Sequence, residues 1–349
     1  MERTRVGWID IFKLLGIIAI FCGHLGYDTG NLHDFVFCYH VPLFFFASGI
    51  FAGNLENMRF IDAVKKRFRQ IMFPYFFLVA LNMVFIVITS DNDLITYLKY
   101  IKQFIWGIRN QMQASSLWFF SCIFCVGVIF ELLRRLLKKK IWILLASIVI
   151  YFLSITVFPN RPDLQPSWIW NVDSACYYLI YYTFGYTMHE MLLTARQGVF
   201  VKSEQGRKWR TEFPVLIGMC FLAGYTLSVY LQEDIVEKLF QTIPVFYMIY
   251  PVIRAMLLIF FNLVLAKILE SFHVLADMGA QTLWLCGNEM IVKKILSAVV
   301  EIVGLQIEIT SALSAVLYAV IMYVVIIKWL LPVEWQLYRQ FFLKSEDLL

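Results

Sequence analysis

Long apolar runs occupy most of this 349-residue chain and limit it to folds that lipid can surround. A helix that crosses a bilayer uses about 20 apolar residues, and 60% of the residues here are hydrophobic. The runs that are long enough are 8–26, 36–54, 71–90, 115–133, 141–158, 174–193, 213–231, 244–266, 280–303 and 311–331. They predict an all-α, polytopic transmembrane helix bundle of about ten spans, with residues 1–349 forming a single domain.

The distribution of Lys and Arg predicts how the spans are oriented. With the N-terminus inside, the cytoplasmic stretches carry 20 of these residues and the outer stretches carry 5. Because cytoplasmic loops are rich in Lys and Arg, we expect both termini in the cytoplasm and a multi-pass protein of the inner or plasma membrane. Asp10 and Lys13 interrupt the apolar core that a signal peptide needs, so the first run is predicted to be an uncleaved span. Segment 94–108 is amphipathic, which suits a helix lying flat on the outer surface.

Composition excludes several other classes of protein. Charged residues make up 16% of the chain, against about 25% in soluble domains, which excludes a cytosolic globular enzyme. The net charge of +5 comes from short basic blocks between apolar runs, so no nucleic-acid partner is expected. The cysteines are odd in number and lie mostly in apolar runs, which argues against a disulfide framework.

The first apolar run contains three ionisable residues, Asp10, Lys13 and His24. An ionisable side chain inside lipid is costly, so it indicates a functional site. Lys13 and His24 are eleven residues apart, which on an α-helix is within about 20° of whole turns, so they share one face. Asp10 lies on the same face, one turn before Lys13. The separation corresponds to a rise of about 16 Å, so Lys13 and His24 would border two ends of one long ligand or passage.

The residues alone leave two interpretations of this face open. Asp10 and Lys13 are spaced for an i,i+3 ion pair, with His24 an ordinary residue of the membrane interface. Alternatively, His24 transfers protons near neutral pH and Lys13 binds a phosphate or carboxylate. His40 opens the second apolar run at the same outer side, so the two histidines are expected to lie close together, in either a functional or a packing role.

Short motifs in the first half of the chain match the helices of one family of membrane enzymes. Trp8-Ile-Asp-Ile-Phe-Lys13, then ten residues, then Gly23-His24 form the first motif. The further motifs are His40-Val-Pro42-Leu-Phe-Phe-Phe-Ala-Ser48-Gly49, Lys65-Lys-Arg-Phe-Arg69 with Pro74-Tyr75, Ser116-Leu-Trp118-Phe119 and Tyr182-Thr-Phe-Gly185-Tyr186. Together they resemble the acyltransferase-3 family of integral-membrane O-acyltransferases, and the likeness is greatest to its fucose 4-O-acetylase-like branch.

The resemblance implies an O-acetyltransferase. Such an enzyme moves an acetyl group from cytoplasmic acetyl-CoA to a hydroxyl of a cell-envelope or capsular polysaccharide, or of its lipid-linked precursor. His24 is then the expected general base, with Asp10 and Lys13 completing the catalytic set, and a covalent acetyl-histidine relay is the variant mechanism. No metal is expected, and the sequence leaves open whether the protein forms a homo-oligomer.

The resemblance and the positions of the polar residues also suggest ligand contacts. Residues expected to bind the acyl-CoA donor are Lys13, Lys66, Arg67, Arg69 and Arg254. Residues expected to contact the extracytoplasmic glycan acceptor are His40, Trp118 and Glu289. For Arg254, at mid-span, either Glu289 or a cofactor phosphate would provide the partner that a buried guanidinium needs. Glu289 and Lys293 are also spaced for an i,i+4 pair, the interpretation favoured for these two residues.

One late motif departs from the family pattern. Many members end a Gly-x-x-Ser-Leu-x-x-Tyr-x-x-His segment with a histidine, whereas the corresponding stretch here runs from Gly279 to Glu289 without one. Asn288 or Glu289 is the expected polar substitute.

Two other classes of function remain as alternatives. A transporter or flippase of a glycan-linked or acylated substrate would also place polar groups inside helices. It would be expected to show internal repeats and paired broken helices, and the sequence shows no convincing repeat. A non-catalytic membrane scaffold would leave the alignment of Asp10, Lys13 and His24 unexplained.

Overall fold

A computed structural model describes residues 6–26, 29–194, 218, 221–225, 244–305 and 308–342. Over these ranges the chain is helical and contains no β-strand, which confirms the all-α prediction. Helices suit lipid because each backbone N–H and C=O is satisfied within its own segment. The helices are α1 Gly7–Gly23, α2 Asn31–Phe37, α3 His40–Ile50, α4 Phe60–Arg67, α5 Phe73–Thr89, α6 Leu94–Trp106, α7 Trp118–Leu137, α8 Lys140–Thr156, α9 Val172–Thr194, α10 Pro244–Ile268, α11 His273–Met278, α12 Thr282–Gly287, α13 Glu289–Val303, α14 Ala312–Val325 and α15 Leu331–Phe342.

Within the described ranges, four helical stretches are long and apolar enough to cross a membrane. They are Phe60–Thr89, Ser115–Leu137, Val245–Ser271 and Ala312–Gln340. α8 is apolar but shorter. The count of ten spans and the cytoplasmic location of both termini stay predictions. The predicted span 213–231 lies outside the described residues except for 218 and 221–225.

Two of the predicted spans are interrupted by short breaks. The run 36–54 contains the end of α2, a turn at Cys38 and Tyr39, and then α3. The run 280–303 is divided at Asn288, whose backbone angles (φ −96°, ψ 0°) are not helical. Each break has a local cause. Proline suits the first turn of a helix, so Pro42 favours a new helix that begins at His40. The second break falls at Gly287-Asn288, two residues with low helix propensity.

Two long stretches are continued through π-helical turns. The turn Phe68–Met72 joins α4 to α5, and the turn Ile326–Leu330 joins α14 to α15. The second stretch extends to Phe342, so the part of the predicted cytoplasmic stretch 332–349 that the structure describes is helical, and its cytoplasmic location stays a prediction. Residues 94–106 of the amphipathic segment 94–108 form α6, and the location of this helix on the outer surface stays a prediction. Asp93 begins this helix by accepting the Thr96 backbone N–H at 2.9 Å.

The chain divides into two compact units. Unit 1 comprises Met1–Gly53, Tyr181–Thr282 and Ile309–Val316. Unit 2 comprises Asn54–Ile180, Leu283–Glu308 and Leu317–Leu349. The single domain over 1–349 stays a prediction.

In unit 1, α1 is the central helix. Helices α2, α3, α10 and α11 pack around it, and 13 of its 17 residues are buried. The catalytic residues predicted from the sequence therefore lie on a helix that is enclosed by protein.

A close crossing fixes α3 against the C-terminal part of α9 in unit 1. A Cβ at Gly49 would collide with the backbone carbonyl of Tyr182, and a Cβ at Gly185 would collide with that of Phe46. Paired small residues let two membrane helices approach until their backbones touch. His189 Nδ1 also donates to the Ile50 carbonyl at the end of α3. The position of α3, which begins with His40, is thus set by α9.

In unit 2, a buried ion-pair group holds the segment before α4. The Glu131 side chain is 0% exposed and pairs with Arg134 at 2.7 Å and Arg135 at 2.8 Å. Arg135 also donates to the Met58 carbonyl just before the helix. About one turn before Glu131, Gly127 of α7 packs against Arg67. A Cβ at Gly127 would lie 2.9 Å from Arg67 Nη1. Helix α7 therefore anchors both ends of the basic helix α4.

Candidate active site

The N-terminal half of α1 contains an ion pair whose carboxylate is buried and whose ammonium is half-buried. Lys13 Nζ lies 2.7 Å from Asp10 Oδ1, and the two side chains are 26% and 9% exposed. This confirms the i,i+3 pair that the sequence allowed, and it means that Lys13 shares its charge with a neighbouring carboxylate. Around this end of α1, the Lys267 ammonium lies 4.9 Å from the centre of the Trp8 ring. Gly279 packs against the Asp10 backbone, closer than a side chain at 279 would allow.

At the C-terminal end of α1, two histidines from different helices are in contact. His24 is the residue that caps the helix, and His40 is the first residue of α3. Their ring centroids are 6.1 Å apart and the rings are nearly perpendicular, at 87°. His40 is buried and His24 is half-buried. The expectation that the two histidines lie close together is confirmed.

A backbone hydrogen bond fixes the tautomer of His40. Its Nδ1 lies 2.7 Å from the Val36 carbonyl oxygen. A carbonyl only accepts, so Nδ1 carries the hydrogen and donates, and Nε2 is the basic nitrogen of the neutral ring. Phe37 lies against both imidazoles, with centroid distances of 4.7 Å to His40 and 6.2 Å to His24. The pair is therefore oriented by α2, and an aromatic ring covers it on one side.

Lys13 lies in the N-terminal half of one regular helix, and His24 caps the C-terminal end of that helix. α1 runs without a break from Gly7 to Gly23, so their separation along the axis is about 16 Å. The ion pair and the histidine pair are thus two distinct sites on one element, and a group that engages both must be long.

Arg254 lies in α10 of unit 1. Its Nε is buried, and in the described chain no acceptor reaches that atom. The guanidinium lies 5.3 Å from the centre of the Tyr250 ring, and it is close enough to Cys38 to interact electrostatically. Arg254 is therefore near the break between α2 and α3, at the histidine end of the unit. Its predicted contact with a cofactor phosphate stays a prediction.

The basic residues of α4 and of the π-helical turn that follows it differ in accessibility. Lys66 is half-buried, Arg69 is exposed and Arg67 is buried against α7. Lys66 and Arg69 are thus the more accessible cations of the predicted donor-binding set, whereas Arg67 also serves helix packing.

Trp118 begins α7 in unit 2 and is part of a stacked cluster. The guanidinium of Arg109 lies 4.9 Å from the ring centre of Trp118, and the Tyr178 ring is 6.0 Å away. Arg109 Nη2 also donates to the Asp163 carbonyl at 2.5 Å. The sequence did not single out Arg109, because nothing distinguished it from the other two basic residues of the predicted outer stretch 91–114. The contact of Trp118 with a glycan stays a prediction.

The late motif places two polar residues in a buried position of unit 2. Asn288 is fully buried and donates to Glu334 Oε2 at 2.7 Å. Glu289 pairs with Lys293 at 2.6 Å, which confirms the favoured i,i+4 interpretation. Glu334 and Asn82 are buried polar residues that sequence reasoning did not select. Their signal was an Asn in the middle of one apolar run and a Glu just past the end of another.

Within the ranges that the structure describes, no group of three or more His, Cys, Asp or Glu side chains is placed to bind a metal ion. That the reaction needs no metal stays a prediction.

Fold and site together define a helical membrane protein with an Asp10–Lys13 ion pair in the N-terminal half of one enclosed helix and a histidine pair at the C-terminal end of that helix. The model of the acyltransferase-3 family, described as an acyltransferase domain, matches residues 6–336. The chain belongs to this family, and its membership supports a membrane acyltransferase activity. No curated protein and no solved structure matches the chain.

Proposed function

We propose that the protein is an O-acetyltransferase of the inner or plasma membrane. It transfers an acetyl group from cytoplasmic acetyl-CoA to a hydroxyl of a cell-envelope or capsular polysaccharide, or of its lipid-linked precursor. Family membership supports acyl transfer in general. The observation that carries the more specific proposal is the contact between His24 and His40 at the end of α1 that is predicted to face outward.

His24 acts as the general base. Its imidazole takes the proton of the acceptor hydroxyl while the hydroxyl oxygen attacks the thioester carbonyl carbon. The C–S bond then breaks, the new C–O bond remains as the acetyl ester, and the coenzyme A sulfur takes the proton back from the imidazolium. His40, with its Nδ1–H held by Val36, keeps a fixed orientation beside His24 and contacts the acceptor.

In the variant mechanism, His24 attacks the thioester itself. The acetyl group is then carried on the imidazole nitrogen, coenzyme A leaves as the thiol, and the acceptor hydroxyl takes the acetyl group in a second step. This variant suits a donor and an acceptor that meet the histidine from opposite sides of the membrane.

The separation of about 16 Å between Lys13 and His24 along α1 supports a long donor. Acetyl-CoA is long, with a phosphate-bearing nucleotide at one end and a thioester at the other. The cations proposed for the nucleotide phosphates are Lys13 in unit 1 and Lys66, Arg67 and Arg69 in unit 2. Arg254, at the histidine end of unit 1, is left out of this assignment. Charge-assisted bonds from Lys and Arg to phosphate are strong, which suits them to this task. Trp118 and Glu289 are assigned to the acceptor.

The test is the activity of the His24→Ala variant. Acetyl transfer from radiolabelled acetyl-CoA to an extracellular glycan is measured as alkali-labile ester in membranes that contain equal amounts of protein. We expect the rate to fall by about 10²–10⁴-fold, the usual contribution of a general base. The His273→Ala variant removes an exposed imidazole instead and is expected to keep its activity. A His24→Ala protein with near-normal transfer would remove His24 from catalysis.

The transporter or flippase alternative is favoured by one observation, the broken helix at Asn288, since transporters often bind substrates at such breaks. Labelled acetyl-CoA separates the two functions. An enzyme binds acetyl-CoA and forms an acetyl ester, whereas a flippase would move a glycan-linked lipid without consuming acetyl-CoA.

A further inference from the structure

Unit 2 contains three buried polar residues that the proposed acyl transfer does not use. They are Asn82 of α5, Asn288 between α12 and α13, and Glu334 of α15, and we call them the Asn–Glu cluster. Their exposed fractions are 0%, 0% and 6%. Asn82 and Glu334 belong to stretches that are long and apolar enough to cross a membrane. Polar groups at that depth are expensive to bury and usually mark a function.

The contacts of the two asparagines fix the orientation of their amides. Asn82 Nδ2 donates to the carbonyl oxygens of Leu78, at 2.8 Å, and of Gly287, at 3.2 Å. Asn288 Nδ2 donates to the Trp284 carbonyl at 3.1 Å and to Glu334 at 2.7 Å. Because carbonyl oxygens only accept, each amide nitrogen is identified by its partners. The two Oδ1 atoms are therefore buried acceptors, and no donor from the described residues meets either of them.

The charge of Glu334 is also unbalanced. Across the described ranges its carboxylate is bonded to Asn288 and forms no ion pair. The carboxylate of Glu289 is already paired with Lys293. An isolated carboxylate in an apolar interior is strongly unfavourable, so Glu334 needs either a proton or a cation. One proton would neutralise the carboxylate but could satisfy at most one of the two Oδ1 atoms, whereas a cation attracts the carboxylate and any amide oxygen within its reach.

The cluster surrounds a break in a helix. α12 ends at Gly287 and α13 begins at Glu289, so the last carbonyls of α12 lie at a helix C-terminus and carry partial negative charge. Carboxylates and carbonyls at interrupted membrane helices form the sodium sites of several transporter folds. We propose that the Asn–Glu cluster binds one sodium ion through oxygen atoms of Glu334, Asn288 and Asn82. The single unbalanced carboxylate matches a single positive charge, and the oxygen-only donor set matches a hard cation.

The first experiment measures thermal unfolding of the full-length protein in detergent. Unfolding midpoints are recorded in increasing NaCl and in choline chloride of equal ionic strength. A ligand that binds only the folded state raises the midpoint in a saturable way. We expect this rise in NaCl for the wild type and for Glu301→Gln, which changes an exposed carboxylate of α13, and we expect no sodium response in Glu334→Gln. A wild type with equal midpoints in both salts would overturn the proposal.

A second measurement keeps the proposal testable if Glu334→Gln fails to fold. Radioactive sodium binding to the wild type is measured at equilibrium, with excess unlabelled NaCl as competitor. Saturable binding of one ion per chain supports the site, and its absence overturns it. A wild type that is stabilised by lower pH and unaffected by sodium would show that Glu334 holds a proton instead. Neither measurement depends on acetyl transfer, so the outcome is separate from that of the proposed function.

Discussion

Lys13 shares its charge with Asp10, and this sharing determines how the ammonium can act on an incoming anion. Removal of one member of a buried pair leaves the other charge without compensation, which is itself destabilising. A single substitution of Lys13 therefore changes two things, the attraction for the donor and the environment of Asp10. A test of Lys13 must separate these effects.

We expect Lys13→Ala to raise the KM for acetyl-CoA more than the KM for the acceptor. Hydrogen bonds to charged groups contribute about 1.5–3 kcal/mol, so the donor KM should rise about tenfold or more. Steady-state kinetics with each substrate varied in turn provide the measurement. In the matched control, Asp10→Asn combined with Lys13→Met, both charges are removed. A donor KM that returns to the wild-type value in this control would show that Lys13 only neutralises Asp10.

The residues of α1 could be predicted from the sequence because their spacing is local. Helical periodicity alone relates Asp10, Lys13 and His24. The Asn–Glu cluster could not be predicted, because Asn288 meets Glu334 across 46 positions and Asn82 meets Gly287 across 205. No periodic pattern links such residues, and a single Asn in an apolar run looks like any tolerated polar residue.

The crossing of α3 and α9 connects helix packing to the histidine pair. α3 carries His40 at its first position, and Gly49 and Gly185 allow the two helices to touch. Both glycines belong to the motifs that the sequence shares with the acyltransferase-3 family. The structure gives these motifs a physical reason, because any side chain at either position would separate the helices.

We expect Gly185→Ala to lower both stability and acetyl transfer. The new Cβ would collide with the Phe46 carbonyl, and backbone cannot rotate away as a side chain can. Overpacking of this kind costs about 1–3 kcal/mol. Unfolding midpoints and transfer rates are compared with those of Gly218→Ala, where a Cβ meets nothing within 4 Å. An unchanged midpoint in Gly185→Ala would show that α3 and α9 are not in contact at this point.

The sequence predicts where helices exist better than where they break. Apolar runs are counted by length, and length does not distinguish one continuous helix from two short ones such as α2 and α3. Breaks depend on local backbone preference and on tertiary partners, as at Gly287, whose carbonyl accepts from Asn82. The π-helical turns before α5 and α15 left no recognisable pattern in the apolar runs.

For the whole molecule, the proposal assigns the two substrates to opposite sides of the membrane. The imbalance of 20 to 5 Lys and Arg residues predicts that the basic segments lie in the cytoplasm and the histidine end of α1 outside. Acetyl-CoA, which is highly charged, does not cross a bilayer by itself. Its consumption should therefore depend on which face of the membrane it can reach.

Sealed membrane vesicles of both orientations test this directly. When labelled acetyl-CoA is added outside inverted vesicles, which expose the cytoplasmic face, we expect acetyl ester on glycan inside the lumen. Right-side-out vesicles should form ester only after they are made permeable, since the donor cannot otherwise reach the basic segments. Vesicles that contain His24→Ala protein control for other transferases. Equal ester formation by intact right-side-out vesicles would place the donor site on the outer face and would contradict the predicted orientation.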